Sequence, residues 1–290
     1  MANAITLFKQ YVTLLDEVYK NASLTSVLDG AAELARQGAN ANELVIPKMS
    51  MDGLANYSRN GGYVGGDVTL TNETVACNFD RGRMFSVDNL DNAESAGIAF
   101  GRLAGEFIRT KVVPELDAFR FATYASTSGI STVAGAALST GDAVVSAIRA
   151  AVNKFNEDEV PLEGRYLFIT PTLYGMVQDL DTIKSRAVIS GLNVVQVPQT
   201  RFYTEIKQND GTTDGEVAGG YTKGATAKNI NFMLIHKDAV IQFEKHVAPK
   251  VITPDQNQDS DAWKFGYRNV GIADVYDNKV AGIYLHKSTT

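Results

Sequence analysis

Residues 43 to 90 constrain this chain more than any other stretch. "ELVIPKMSM" and "DVTLTNETVACNFDRGRMFSVD" alternate apolar and polar side chains, the period of half-buried strands. Between them, "DGLANYSRNGGYVGGD" carries Gly61, Gly62, Gly65 and Gly66 and hardly any large aliphatic side chain. Pro47 suits an edge position, since it has no N–H to donate to a central ladder. The pattern predicts a long two-stranded ribbon, 43–90, with a flexible tip. A ribbon of this kind has no core of its own and is marginal in water unless it lies on something else. The chain therefore needs a partner surface.

The next stretch, "AGIAFGRLAGEFIRTKVVPELDAFRFA" (96–122), reads as one long helix. Arg102, Glu106, Arg109, Asp117 and Arg120 fall on one side. Phe100, Leu103, Phe107, Ile108, Leu116 and Phe119 spread over the rest, giving a surface helix with a wide buried flank. Gly97, Gly101 and Gly105 interrupt it, each at a cost of about 1 kcal/mol relative to alanine. Glycines four apart let another backbone approach closely, and Arg102 and Glu106 exclude a lipid setting for that approach. These glycines are expected to seat the helix on a sheet. Pro114 predicts a bend, or the start of a second segment at "PELDAFRFATYAS".

Ahead of the ribbon, Ile5, Phe8, Val12, Leu15 and Tyr19 recur at helical spacing. That helix either docks on its own core or reaches another subunit, and its polar face is not basic enough for a membrane surface. From 139 to 235 the texture is α/β. "STGDAVVSAIRAAVNKFNEDEVP" is a helix capped by Thr140 or Asp142, and "RYLFIT" is a buried strand. "TPTLYGMVQDL" begins a helix with Thr170 as N-cap and Pro171 at its first position. "NVVQVP" and "RFYTEI" read as strands, and "QNDGTTDGEVAGGYTKGATAKN" as a polar loop or exposed hairpin. Residues 236–290 are strand-rich again.

Composition and chemistry narrow the function. Among 290 residues, 27 basic and 33 acidic side chains give a net charge of -6, without the basic excess of a dedicated nucleic-acid binder. The lone Cys77 excludes an internal disulfide and a cysteine zinc cluster. No apolar run approaches the roughly 20 residues that span a bilayer, and the expected setting is a reducing cytoplasm. "GGYTKGAT" (219–226) has phosphate-loop glycine spacing, but Ala225 stands where that loop needs its lysine. His236, His246 and His286 are too scattered for a helical zinc motif. "DQNQDSD" lacks the glycine and distal glutamate of a calcium loop. No cofactor, metal or catalytic residue is expected. The sequence is built to pack and associate.

The ordered set "DRGRMFSVDNLDNAESAG" (80–97), "VPELDAFRF" (113–121), "GRYLFITPTLYG" (164–175) and "YDNKVAGIYLHK" (276–287) resembles the major capsid proteins of tailed bacteriophages, in particular those of phages and prophages of low-GC Gram-positive bacteria. The resemblance covers nearly the whole chain and implies an α+β protein of the Hong Kong 97 phage capsid fold. Residues 1–42 would be the N-terminal arm, contacting neighbours through Phe8, Tyr11, Leu15 and Tyr19. Residues 43–90 would be the extended β-hairpin loop, contacting neighbours through Asn56, Tyr57, Arg59, Asn60 and Tyr63. Residues 91–138 would be the peripheral domain with its spine helix, held to its sheet by Gly97, Gly101 and Gly105. Residues 139–235 would be the axial α/β domain, and 236–290 would complete both domains.

The implied partners are other copies, as pentamers and hexamers in an icosahedral shell, with a portal and double-stranded DNA held by weak, non-specific contact. The implied location is the virion, assembled in the bacterial cytoplasm, with no membrane. Some members cross-link through a lysine on the extended loop, but Met49 to Thr110 contains none. Arm-like sequence begins within the first residues, so a separate scaffolding protein is expected. The alternatives are an encapsulin-like nanocompartment and a soluble α/β enzyme.

Overall fold

The computed structural model describes residues 23–30, 36–37, 43–90, 98–133, 135, 137–180 and 182–289. The proposed arm contacts Phe8, Tyr11, Leu15 and Tyr19, and Gly97, lie outside the described residues. In chain order the elements are β1 (Arg36–Gln37), β2 (Glu43–Met51), β3 (Val68–Ala76), β4 (Phe79–Asp88), α1 (Ile98–Phe107), a π-helical turn (Ile108–Val112), α2 (Val113–Ser126) and β5 (Ser131–Val133). There follow α3 (Gly141–Glu157), β6 (Arg165–Ile169), α4 (Pro171–Asp179), α5 (Ile183–Ile189), β7 (Asn193–Gln196), β8 (Ile206–Gln208) and β9 (Tyr221–Lys223). The last four strands are β10 (Ile230–His236), β11 (Val240–Ile252), β12 (Ala262–Val275) and β13 (Ile283–Lys287).

A mixed sheet ordered β5-β13-β10-β6-β7 organises the α/β part. The apolar run "FMLI" of β10 is buried on both faces, as a run without polar alternation requires. Phe232 and Leu234 pack with Val144, Ile148 and Phe155 of α3, Leu173 and Val177 of α4, and Val188 of α5. Met233 and Ile235 face a second core with Phe121 and Tyr124 of α2, Phe202 and Val240. Thr140 caps α3, accepting from the Ala143 N–H at 3.3 Å. Thr170 occupies the N-cap of α4 without a side-chain capping bond. "RFYTEI" is not a strand: a 3-10 turn covers Gln199–Arg201 and β8 begins only at Ile206.

Pro114 does not end the long helix. The π turn over Ile108–Val112 precedes it and keeps Val112 and Val113 helical (φ -67 and -62). The widened turn relieves the clash between the proline ring and the preceding turn. Ala104, Ile108, Val113 and Leu116 pack on Phe79, Phe265 and Tyr267 of a second sheet, ordered β11-β12-β4. Phe107 meets Phe85 edge-on at 4.8 Å between ring centroids.

Two expectations about this helix are overturned. Asp117 and Arg120, placed on its polar face from spacing, are 0% and 1% exposed. Gly105 does not seat the helix on the sheet, because a β-carbon there would meet nothing within 4 Å. The close approach is made by buried Ala104 instead. The glycine that does permit a tight crossing is Gly141, where a β-carbon would lie 2.4 Å from the Met176 carbonyl oxygen and under 3 Å from Leu180. Gly101 lies within α1.

The ribbon is shorter than its alternation suggested. Strands β2 and β3 pair antiparallel from Glu43↔Ala76 to Met51↔Val68, with β1 along the outer edge of β2. Strand β4 leaves them and pairs with β12, from Phe79↔Gly271 to Asp88↔Ala262. The Asn78 carboxamide pins this crossover, donating to the Ala273 carbonyl at 2.7 Å and accepting from the Ala273 N–H at 3.1 Å. The alternation of β4 is real, but it serves the sheet beneath α1, where Phe79 is buried.

Candidate functional site

The ribbon presents an unpartnered apolar face. Met49 lies opposite Leu70 and Met51 opposite Val68, so all four project from the same side. Each is more than half exposed, from 55% to 68%. Beyond them the tip shows Leu54, Tyr57, Tyr63 and Val64, all likewise exposed. Eight of the thirteen large apolar side chains exposed among the described residues thus lie on this one hairpin. A monomeric protein rarely leaves so much apolar surface contiguous.

The tip has a defined shape. Ser58 and Gly62 exchange backbone hydrogen bonds, Ser58 N–H to Gly62 at 3.2 Å and Gly62 N–H to Ser58 at 2.7 Å. Gly62 turns the chain at φ 77°. Tyr57 and Tyr63 then face each other, ring centroids 4.9 Å apart. Asn56, Arg59 and Asn60 are exposed around them. Sequence reasoning named the polar and aromatic tip residues and missed Met49, Met51, Leu54, Val64, Val68 and Leu70. The signal for the strand residues was present in the period-2 pattern, which gives one face to Met49 and Met51.

At its other end the ribbon is fixed. Val75 is buried with Ile241 and Ile272, and the Lys48 ammonium pairs with Asp277 at 3.2 Å. The ribbon is therefore a projection with a rooted base and a free apolar end.

A second constellation fixes the root of the N-terminal segment. Asp117 of α2 accepts from Ser23 Oγ (2.8 Å), Thr25 Oγ1 (2.8 Å) and the backbone N–H groups of Leu24 and Thr25. Arg201 donates at 3.2 Å to Oδ2, the oxygen that also takes the Leu24 N–H. One turn on, Arg120 donates to Thr25 Oγ1 at 2.8 Å and to Glu244 of β11 at 3.0 Å. Gln242 donates to the Thr25 carbonyl and accepts from the buried Tyr124 hydroxyl. Desolvation raises the Tyr124 pKa far above its ordinary value, so the phenol stays protonated and donates. Leu28, fully buried, completes the anchor.

Two arginines of β4 hold the loop between β8 and β9. Arg81 donates to the Asn209 carbonyl at 2.7 Å and pairs with Glu115 at 2.7 Å, while Arg83 donates to the Val217 carbonyl at 3.0 Å. Burial raises the Glu115 pKa despite the guanidinium beside it. Inside the loop, the Asp210 carboxylate accepts from Thr213 Oγ1 and from the Thr213 and Thr212 N–H groups, which hold its pKa far below the usual range. "GGYTKGAT" belongs to this hairpin and opens no helix.

The histidines are far apart in role. His236 shares a hydrogen bond with the Glu163 carbonyl at 2.8 Å, and His286 stacks on Phe232 at 5.0 Å. Among the described residues no group of three or more histidine, cysteine or acidic side chains could hold a metal ion. No described helix is long and apolar enough to cross a membrane.

Solved structures share this architecture across most of the chain. A structure from Gordonia phage Cozz superposes with a TM-score of 0.62 at 13% identity, covering 92% of this chain and 87% of the other. The capsid of cyanophage P-SCSP1u gives 0.59 at 14% identity, covering 88% and 86%. The virus-like particle from Pyrococcus furiosus gives 0.58 at 11%, covering 94% and 96%. This chain has the Hong Kong 97 capsid fold. No protein-family model and no curated relative matches the sequence. The capsid fold is carried here by the arrangement of buried faces, such as the two sides of β10 and the flank of α2, with few residues in common.

Proposed function

We propose that this chain is the major capsid protein of a tailed bacteriophage. It self-assembles through pentamers and hexamers into an icosahedral shell around double-stranded DNA. The observation that carries this reading is the rooted ribbon with its unpartnered Met49, Met51, Val68 and Leu70, on a fold whose solved neighbours include a phage capsid. Laid on an adjacent copy, the ribbon buries a face that water otherwise opposes, and repetition around a ring multiplies modest contacts. Interfaces woven this way can exceed roughly 2,000 Å².

In this reading residues 1–42 are the arm, whose root is held by Asp117. The ribbon is the extended loop, touching its neighbour through Tyr57, Tyr63, Asn56, Arg59 and Asn60 as well as the apolar face. The five-stranded unit with residues 139–235 is the axial domain, and α1, α2 and the β11-β12-β4 sheet form the peripheral domain. A scaffolding protein and a portal would act during assembly in the host cytoplasm, and the product is the virion. The role is structural and not enzymatic. The net charge of -6 suits weak, non-specific contact with DNA, since a basic lumen would bind phosphates through counterion release.

The likeness to the virus-like particle from Pyrococcus furiosus supports a second reading, a nanocompartment shell around protein cargo. Electron microscopy and sedimentation of the purified protein test both. Closed shells or capsomers are expected, and a monodisperse monomer at micromolar concentration and physiological salt overturns both readings. Co-purifying host protein within closed shells would favour the nanocompartment.

A further inference from the structure

The ribbon tip holds the only Asn–Gly pair in the sequence, Asn60–Gly61. Both residues are exposed. The Asn60 carboxamide has no hydrogen-bond partner among the described residues. A β-carbon at Gly61 would touch only Ser58, at 3.5 Å and 3.6 Å, so nothing else crowds the Gly61 nitrogen. We propose that Asn60 is a site of spontaneous deamidation, through a succinimide formed with the backbone nitrogen of Gly61.

The chemistry balances with water alone. The Gly61 nitrogen gives up its proton and attacks the Asn60 side-chain carbonyl carbon, forming a new C–N bond. The carboxamide C–N bond breaks, and its nitrogen leaves as ammonia. Water then opens either C–N bond of the ring, giving aspartate or isoaspartate. Glycine at the second position is what makes this fast, because no side chain shields the attacking nitrogen or restricts the rotation it needs.

Ser58 governs the rate as a positioning residue. The Gly61 N–H donates to Ser58 Oγ at 3.1 Å, and the paired hydrogen bonds between Ser58 and Gly62 close the same turn. The turn must open before the nitrogen can attack. Asp210–Gly211 shows the protected case: its carboxylate is anionic and held by Thr212 and Thr213, so it is a poor electrophile. At Asn60 the product places a new negative charge, and for isoaspartate a longer backbone, beside Tyr57 and Tyr63. That consequence for assembly rests on the proposed docking of the tip, whereas the modification itself does not.

The test is to age the full-length, unassembled protein at neutral and mildly alkaline pH and map the tip peptide by mass spectrometry with isoaspartate labelling. Asn60 should convert, with release of ammonia, faster as pH rises. Asn56, exposed in the same tip but followed by Tyr57, should remain an amide. Gly61→Ala should slow conversion by roughly tenfold or more through crowding by the added carbon, and Ser58→Ala should accelerate it. If Asn60 ages no faster than Asn56, the site is refuted. If Ser58→Ala leaves the rate unchanged, the governing role of Ser58 is refuted. In closed shells conversion should be suppressed. Equal ageing in shells and free protein would overturn tip docking and leave the modification site standing.

Discussion

Thr25 and Asp117, 92 positions apart, are joined by two hydrogen bonds. The threonine hydroxyl donates to the carboxylate at 2.8 Å and the threonine N–H reaches the same oxygen at 3.3 Å. Through this contact the first described residues are tied to the middle of the long helix; Arg201 balances the buried charge, and Arg120 holds the same threonine hydroxyl while pairing with Glu244.

Removing Asp117 should therefore be severe. Asp117→Ala leaves Arg201 short of a counter-charge and the Ser23 and Thr25 hydroxyls without their acceptor, and should cost about 3–5 kcal/mol, the range for breaking a buried ion pair by deleting one partner. Glu106→Gln, which breaks the exposed Arg109–Glu106 pair, should cost no more than about 1 kcal/mol. Urea midpoints of unassembled protein compare the two. Equal midpoints would mean that the network does not anchor the N-terminal root.

The apolar ribbon face should matter to assembly and not to folding. Met49→Ser with Leu70→Ser changes two exposed cross-strand neighbours, so the melting midpoint of unassembled protein should move little. Closed-shell yield should fall sharply, because burying each of the wild-type side chains is worth up to about 1.5–3 kcal/mol. A double variant that assembles like wild type would remove this face from the interface.

Two glycines should respond to alanine with opposite signs. Gly105→Ala fills open space within a helix and should stabilise by up to about 1 kcal/mol. Gly141→Ala drives a carbon toward the Met176 carbonyl and Leu180 and should destabilise by about 1–3 kcal/mol. Thermal midpoints read both. If Gly141→Ala melts at or above wild type, the crossing of α3 and α4 is looser than described.

Acid should weaken the five-stranded unit through His286. The ring is 3% exposed and stacks on Phe232, and desolvation lowers its pKa from the ordinary 6.5. The unfolded chain then takes up a proton that the folded chain refuses. Stability is full above pH 6.5 and declines as pH falls from there through the depressed folded value. His286→Phe should flatten that part of the profile. An unchanged slope would assign the titration elsewhere.

The sequence by itself determined the local faces. The apolar run of "RYLFIT" marked a buried strand, Thr140 or Asp142 marked the start of α3, and the alternation with glycines at 61 and 62 marked a hairpin with a flexible tip. Periodicity reports which side of an element meets apolar surroundings, and that is settled within a few residues. Tertiary structure decided what lies opposite each face. The alternation of β4 is the same whether it continues a ribbon or joins β12, and only the pairing with residues 262–271 separates the two. Asp117 and Arg120 look like solvated charges on a helix surface. They are buried because Thr25, Arg201 and Glu244, 84 to 124 positions away, supply the hydrogen bonds and counter-charges that offset desolvation. Gly105 and Gly141 likewise differ only in their surroundings, open space at one and a crossing helix at the other.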